Sequence, residues 1–263
     1  MTKHLSHKNL HNTLVYIDLV GAGGTGSLVL SGLVRLHLAL KSLGHPHGVY
    51  VNAWDPDTVS KANIGRQLFV PEELSLNKAI ALVNRYNLGF GLDWNGIPRH
   101  YELKHNGHKP HIIISCVDSR SSRLAIHRNK DFYRGAYLID CGNSADSGQV
   151  LIGDGSKEFP YPWDRYPDLI DPNKQPGNLP SCSLAEALHH QELFVNQWMA
   201  TAALEILWQL FRHGELDCSG CYINLKKFTV RPAAIRDGTI EKAAIIQKKT
   251  PSKRRPPNAN QNH

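Results

Sequence analysis

The sequence has 263 residues, 41% of them hydrophobic, and a formal net charge of +7 with histidine neutral; its mean hydropathy is −0.36. That size suits one α/β domain with a large core, and no apolar run approaches the roughly 20 residues that cross a bilayer. The polar, His-rich start MTKHLSHKNLHN lacks the apolar segment of a secretory signal, so a cytoplasmic protein with no membrane partner is expected.

Residues 1–11 are expected to be flexible and 12–245 to form a single domain. LVYIDLV (14–20) reads as a buried parallel strand that stops at the glycines of GAGGTG (21–26). Leu28, Val29, Val34, Leu36, Leu40 and Leu43 make an apolar helix over about 27–43, ended by Gly44 and Pro46. GVYVNAWD (48–55) is a second strand, SLNKAIALVNRYN (75–87) a helix, GIPRHYEL (96–103) a weaker strand and HIIISCVD (111–118) a strong one. A helix over 121–129 follows, then the strands AYLIDCGN (136–143) and GQVLIGD (148–154), joined by a short polar turn. The alternation predicts an α/β fold: a Rossmann-like, mostly parallel sheet with helices on both faces.

The pattern then breaks. Residues 155–181 contain six prolines, and a structureless crossover loop over about 155–185 is expected, of the kind that is usually functional. QELFVNQWMATAALEILWQLF (191–211) is a strong helix, with Phe194, Val195, Trp198, Met199, Ala202, Leu207 and Phe211 near one face. Cys218 to Gly220 read as a turn, and CYINLKKFTVRP (221–232) as a final strand or hairpin. QKKTPSKRRPPNANQNH (247–263) has five basic residues, no acidic ones and three prolines. Residues 246–263 are therefore expected to be a disordered basic tail. Without that tail the body is only mildly basic, so nucleic acid is not an expected partner.

The glycines carry the first chemistry. Gly21 permits a tight turn, Gly23 and Gly24 let backbone approach a phosphate, and Gly26 allows close packing of helix on strand. The helix start then offers unpaired N–H groups and a partial positive charge. Asp55, about 30 residues past Gly26, stands where an acid would bind ribose hydroxyls. To this point an NAD(P)-dependent oxidoreductase fits as well as any ATP-using enzyme.

DPDTVSKANIGRQLF (55–69) separates the two. Asn63, Arg66 and Gln67 sit at i, i+3 and i+4, so on one helical turn they share a face. An arginine fork and two amides aimed at one spot suit a polyphosphate. Lys78 follows as a mobile point charge. Asp118 ends the strong fourth strand, on the edge where ligands bind in open α/β sheets, and a carboxylate beside a triphosphate helps hold Mg²⁺. Taken singly, each residue has a plainer reading: Asp55 and Asp57 as turn aspartates, Arg66 as a surface ion-pair arginine, Lys78 as a solvated helix lysine. Their joint order and spacing is what favours a triphosphate.

GAGGTG, then D-P-D-T-V-x-x-x-N-x-x-R-Q, a downstream lysine and C-V-D-S-R-x-x-R resemble the ThiF/MoeB/E1 superfamily over roughly residues 12–215. These enzymes use MgATP to adenylate the C-terminal carboxylate of a ubiquitin-like (β-grasp) protein. The resemblance implies that Asp55 binds ribose. It assigns phosphate contacts to Asn63, Arg66, Gln67 and Lys78, serves Mg²⁺ and adenylation through Asp118, and gives Arg123 a bracing role. It also implies a homodimer. An arginine from the partner's N-terminal segment enters the site in MoeB-like dimers, and residues 1–34 hold none here. ADSGQVLIGD, NLKKFTVRP and the compact length look most like the ThiF-family subgroup of the bacterial PRTRC system, which implies an E2-like partner as well.

Some members of the superfamily then form a thioester on a cysteine of the crossover loop. In LPSCSLAEALHH (179–190) the matching residue is Cys182, whose thiolate a helix start and His189 or His190 would favour. The alternative is a small buried cysteine without reactivity. Cys116 and Cys141 read as core cysteines. Cys218 and Cys221 form a single C-x-x-C with no second pair, so structural zinc is not expected. The five cysteines have no framework spacing, which points to reduced thiols. Two rivals stand beside the adenylating enzyme: the oxidoreductase, and a non-catalytic ATP-binding scaffold.

Overall fold

The computed structural model describes residues 3–64, 67, 69–102, 108–174 and 191–235. The elements are β1 (His4–Leu5), α1 (Asn9–Asn12), β2 (Val15–Val20), α2 (Gly24–Ser42), β3 (Val49–Trp54), α3 (Lys78–Phe90), β4 (Asn95–Ile97) and β5 (Ile112–Ser115). Then come α4 (Arg120–His127), β6 (Tyr137–Asn143), β7 (Ser147–Gly153), α5 (Pro162–Arg165), α6 (Val195–Arg212), β8 (Glu215–Leu216), β9 (Gly220–Asn224) and β10 (Thr229–Pro232). Arg66, Cys182, His189, His190 and the basic tail lie outside the described residues.

Eight strands form one sheet in the order β10-β9-β7-β6-β5-β2-β3-β4. From β4 to β6 neighbours run parallel; β7, β9 and β10 continue antiparallel. This is the expected Rossmann-like α/β architecture. The chain leaves β4 at one edge and returns to β5 beside β2. The strand order therefore reverses between β2 and β5, which is where such sheets bind ligands, outside the strands' carboxyl ends.

The strands alternate with period two, and each face finds its own cover. Ile112 and Ile114 join Ile17, Leu19, Tyr137 and Ile139 in a core shared with α2, α3 and α6. Ile113 faces the other way, with Val20 and Leu138, into a second core built by Ile126, Tyr133, Tyr161 and Trp163. On the first face α2 and α6 pack closely: a Cβ on Gly32 would stand 2.0 Å from Leu204 Cδ1.

Four expectations are corrected. Residues 4–12 are not a loose arm: β1 pairs with β8 and Leu10 is 1% exposed, so one apolar anchor, the strand pairing and the rings of His4 and His7 stacked on Phe159 and Tyr137 dock a polar stretch. The strand over 96–103 shrinks to β4, because Pro98 has no N–H to extend an edge ladder. Residues 155–174 are not structureless. They carry α5 and two short 3₁₀ turns, held down by Phe159, Tyr161 and Trp163, all buried. On α6 the buried stripe is rotated: Val195, Met199, Ala203, Ile206, Leu207 and Leu210 face inward, while Phe194 and Trp198 are exposed.

Candidate active site

The glycine loop sits at the carboxyl end of β2, at the point where the strand order reverses. Gly21 has φ +92°, and a Cβ there would lie 2.9 Å from the carbonyl oxygen of Cys116, just past β5. A Cβ on Gly26 would stand 1.8 Å from the carbonyl oxygen of Gly21, so any other side chain would push the first turn of α2 off the loop. Gly23 is the N-cap of α2. No side chain caps that end, and its first turn carries no acidic residue. An uncapped helix start presents N–H donors and a partial positive charge to an anion.

The 55–78 segment closes around this loop. Asp55 is 6% exposed, and its Oδ2 accepts the Ala22 N–H at 2.6 Å while Oδ1 accepts that of Asp57 at 2.8 Å. Burial pushes its carboxyl up from the ordinary range, opposed by those two bonds and by the Lys78 charge. Lys78 is 8% exposed and its Nζ meets Asp57 Oδ2 at 3.0 Å; it is not a solvated helix lysine. Asn77 caps α3 by accepting from Ile80 N–H, and its amide donates to the carbonyls of Asp55 and Asp57 at 2.7 and 2.9 Å. The turn after β3 is thereby locked to the start of α3.

Asn63 ends a short 3₁₀ turn, Lys61–Asn63. Its Oδ1 accepts from Ser60 N–H at 2.9 Å, and its carbonyl accepts from Gln67 N–H at 2.9 Å. Gln67 is 4% exposed, with no partner for its Oε1. A Cβ on Gly23 would stand 4.0 Å from Gln67 Nε2, so this amide reaches the glycine loop. Gln67 Oε1 is thus a buried acceptor without a donor, on an amide that stands beside the uncapped helix start. The expected residues Gly21, Gly23, Gly24, Gly26, Asp55, Gln67 and Lys78 thus gather around one point. The carboxamide oxygen of Asn63 serves the local turn.

Asp118 stands apart from that group, exposed, on the loop after β5. It borders a cleft of about 570 Å³ that runs along the ends of β6, β7, β9 and β10. Arg120, Arg123, Lys227 and Arg231 line the cleft, and among the described residues Asp118 is the one acid in its lining. A single exposed carboxylate suits Mg²⁺, which uses one or two carboxylates plus substrate phosphates and keeps several waters. The glycine loop does not line the cleft. The link between them is Asn196, at the start of α6: its Oδ1 accepts from Thr25 Oγ1 at 3.0 Å and from Asn143 Nδ2 at 2.7 Å. Asn143 lines the cleft.

Arg123 braces this side, as the resemblance implies. Its Nε donates to Asp140 Oδ1 at 2.8 Å and its Nη2 to the Cys141 carbonyl at 3.2 Å. Cys141 is 4% exposed, and contact with Cys116 together with burial drives its thiol well above the usual range, so it is an inert core cysteine. Asn196 and the cleft's basic rim are not read from the sequence. The one available signal is a polar residue at a core position of an apolar helix.

A family model described as "ThiF family" matches residues 4–244. Comparison with curated proteins returns no match.

Proposed function

The chain belongs to the ThiF family, whose members in general are ATP-dependent, E1-like adenylyltransferases acting on ubiquitin-like proteins, and from that premise we propose that it adenylates the C-terminal carboxylate of such a protein. The observation that supports this most directly is the uncapped start of α2 enclosed by Asp55, Gln67 and Lys78. An oxidoreductase would use the helix start and Asp55 as well, but makes no use of Asn63, Arg66 or Gln67.

In this reading the phosphates lie over the first turn of α2, and Gly23 and Gly24 allow the close approach. Asp55 faces the ribose with the acceptor capacity its two backbone bonds leave. Lys78 and Arg66 balance charge on the phosphates. Asp118 would hold Mg²⁺, which polarises the phosphates and offsets charge on the leaving pyrophosphate. The incoming carboxylate lies along the basic cleft, where Arg120, Lys227 and Arg231 draw in an acidic group. It attacks the α-phosphorus, the bond to the pyrophosphate oxygen breaks, and an acyl adenylate and pyrophosphate result. The protein contributes positioning and fixed charge. Cys182 then takes the acyl group as a thioester, releasing AMP. A PRTRC-type system, with its E2-like protein, and a homodimer complete the proposal.

The test is ATP–pyrophosphate exchange that depends on a small β-grasp protein with a C-terminal glycine. Exchange should fall at least about 100-fold in Asp118→Ala, the scale of removing one charge-stabilising group; unchanged exchange would remove Asp118 from the site. A conjugate that dissolves in reducing agent and is absent from Cys182→Ala supports the thioester. A conjugate that persists in that variant rejects Cys182. Nucleotide binding without any exchange would leave the scaffold.

A further inference from the structure

The geometry points to a divalent-metal site of the zinc class formed by His4, His7 and Asp154, which fastens the segment carrying β1 to the end of β7. The three ligand atoms all lie within 4.8 Å of one another. His7 Nε2 is 3.0 Å from Asp154 Oδ2, and His4 Nε2 is 4.0 Å from that same oxygen. Zinc holds such ligands at about 2.0–2.2 Å, which puts neighbouring ligand atoms of a tetrahedron about 3.3 Å apart. Small side-chain shifts close the gap without moving backbone.

A histidine–aspartate ion pair would use two of these groups. Here two imidazole nitrogens converge on one carboxylate oxygen, and each ring is fixed from behind. His4 stacks on Phe159 at 4.1 Å and His7 on Tyr137 at 4.4 Å. The carboxylate is oriented as well, since Asp154 Oδ1 accepts the Ser156 N–H at 2.8 Å. Hydrogen bonds that orient ligands in this way are what tuned metal sites carry. The Tyr137 hydroxyl accepts from His7 N–H at 3.2 Å and lies 2.7 Å from His4 Nε2. With the phenol as donor, that nitrogen presents a lone pair, and the metal would take it in place of the phenol proton. Side-chain exposures of 12%, 31% and 8% for His4, His7 and Asp154 leave one side open to a fourth ligand, water or the phenol.

Two imidazoles and one carboxylate are borderline donors suited to zinc and its neighbours, not to Mg²⁺ or Ca²⁺. Tyr137 pairs with Ile112 at the amino end of the parallel strands, whereas the glycine loop follows their carboxyl ends. The site is therefore at the opposite end of the strands from the glycine loop, and its role is to tie residues 4–7 to Asp154.

The full-length protein, free of any histidine tag and stripped with a chelator, is titrated with Zn²⁺ against a chromophoric competitor. One equivalent should bind, with a rise in melting temperature. Asp154→Asn and His7→Gln should each weaken binding by more than the roughly 10- to 100-fold that second-shell changes cost, and abolish the thermal shift. Co²⁺ should give d–d bands without a thiolate charge-transfer band, and the Cys218→Ser/Cys221→Ser variant should bind as before. No stoichiometric uptake by the folded protein overturns the proposal. So does uptake that Asp154→Asn retains, or a thiolate band that disappears with Cys218 and Cys221.

Discussion

The Asp55 carboxylate accepts the backbone N–H of Ala22 at 2.6 Å, so the acid that ends β3 also fixes the loop that starts α2. The residue proposed to read the ribose is thus part of the frame that shapes the phosphate cradle. Asp55→Ala leaves the buried Ala22 N–H without its acceptor, at a cost of about 1–3 kcal/mol. Nucleotide affinity should fall at least about tenfold, equal to about 1.4 kcal/mol. Asp55→Asn, which keeps one acceptor oxygen for the two N–H groups of Ala22 and Asp57, should recover part of the stability and little of the affinity. Urea midpoints and a nucleotide titration check both, and equal affinity in all three proteins would take Asp55 out of the ribose site.

Asn196 accepts from Thr25 on the first turn of α2 and from Asn143 at the end of β6. It joins the glycine loop to the cleft. Asn196→Ala strands two donors and should cost about 1–3 kcal/mol. Asn196→Asp keeps both acceptor bonds but sets a negative charge beside Gly24, where a Cβ would meet Asn196 Nδ2 at 2.7 Å. It should therefore hold stability better than Ala while weakening nucleotide binding more. The reverse order, read from melting curves and binding isotherms, would show that Asn196 acts by packing alone.

How much of this was legible beforehand depends on how local each signal is. The glycines and Asp55 mark themselves because a tight turn, a 1.8 Å approach and a strand-end acid are properties of short segments. The run DPDTVSKANIGRQ likewise delivers Gln67 to the loop, and Lys78 follows at the start of α3. Asn196 meets Thr25 and Asn143 only when α6 packs on α2 and β6, and Lys227 and Arg231 reach Arg120 only when β9 and β10 add to β7. No spacing encodes that meeting. The docked start was hidden for a related reason: Leu10 looks isolated until the core takes it in, and β1 has no visible partner until β8 pairs with it. At the start of α6, the exposed Phe194 and Trp198 misled because both are apolar and each directly precedes a buried residue, Val195 and Met199.

Arg123 and Asp140 form a pair in which the carboxylate is wholly buried, with its Oδ2 without a hydrogen-bond partner. Removing one member of a buried pair leaves an uncompensated charge and costs about 3–5 kcal/mol, whereas replacing both can be nearly neutral. Arg123→Met should therefore unfold at markedly lower urea, and Arg123→Met/Asp140→Leu should regain most of the loss. A double-mutant cycle by urea denaturation measures the coupling. Additive single effects would mean that the pair contributes through volume and not through charge.

Asp18, set within the apolar strand β2, now has partners: Asn52 Nδ2 donates to it at 3.0 Å and Tyr101 Oη at 2.9 Å. Burial still pushes its carboxyl above the ordinary range, against the pull of those bonds. The sign follows from linkage. A carboxyl whose pKa is higher folded than unfolded, where it is about 3.9, binds its proton more tightly in the native state. Its contribution is full at low pH and is lost as pH rises from about 4 through the folded value. Asp18→Asn keeps the shape and an acceptor for Asn52 but has no proton to lose. Its stability relative to the natural protein should therefore increase between about pH 4 and pH 7, since every other titrating group is common to both and cancels in the difference. Urea unfolding of both proteins across that range reads the difference directly. A difference that stays flat with pH would mean that Asp18 ionises as easily inside the sheet as in the unfolded chain.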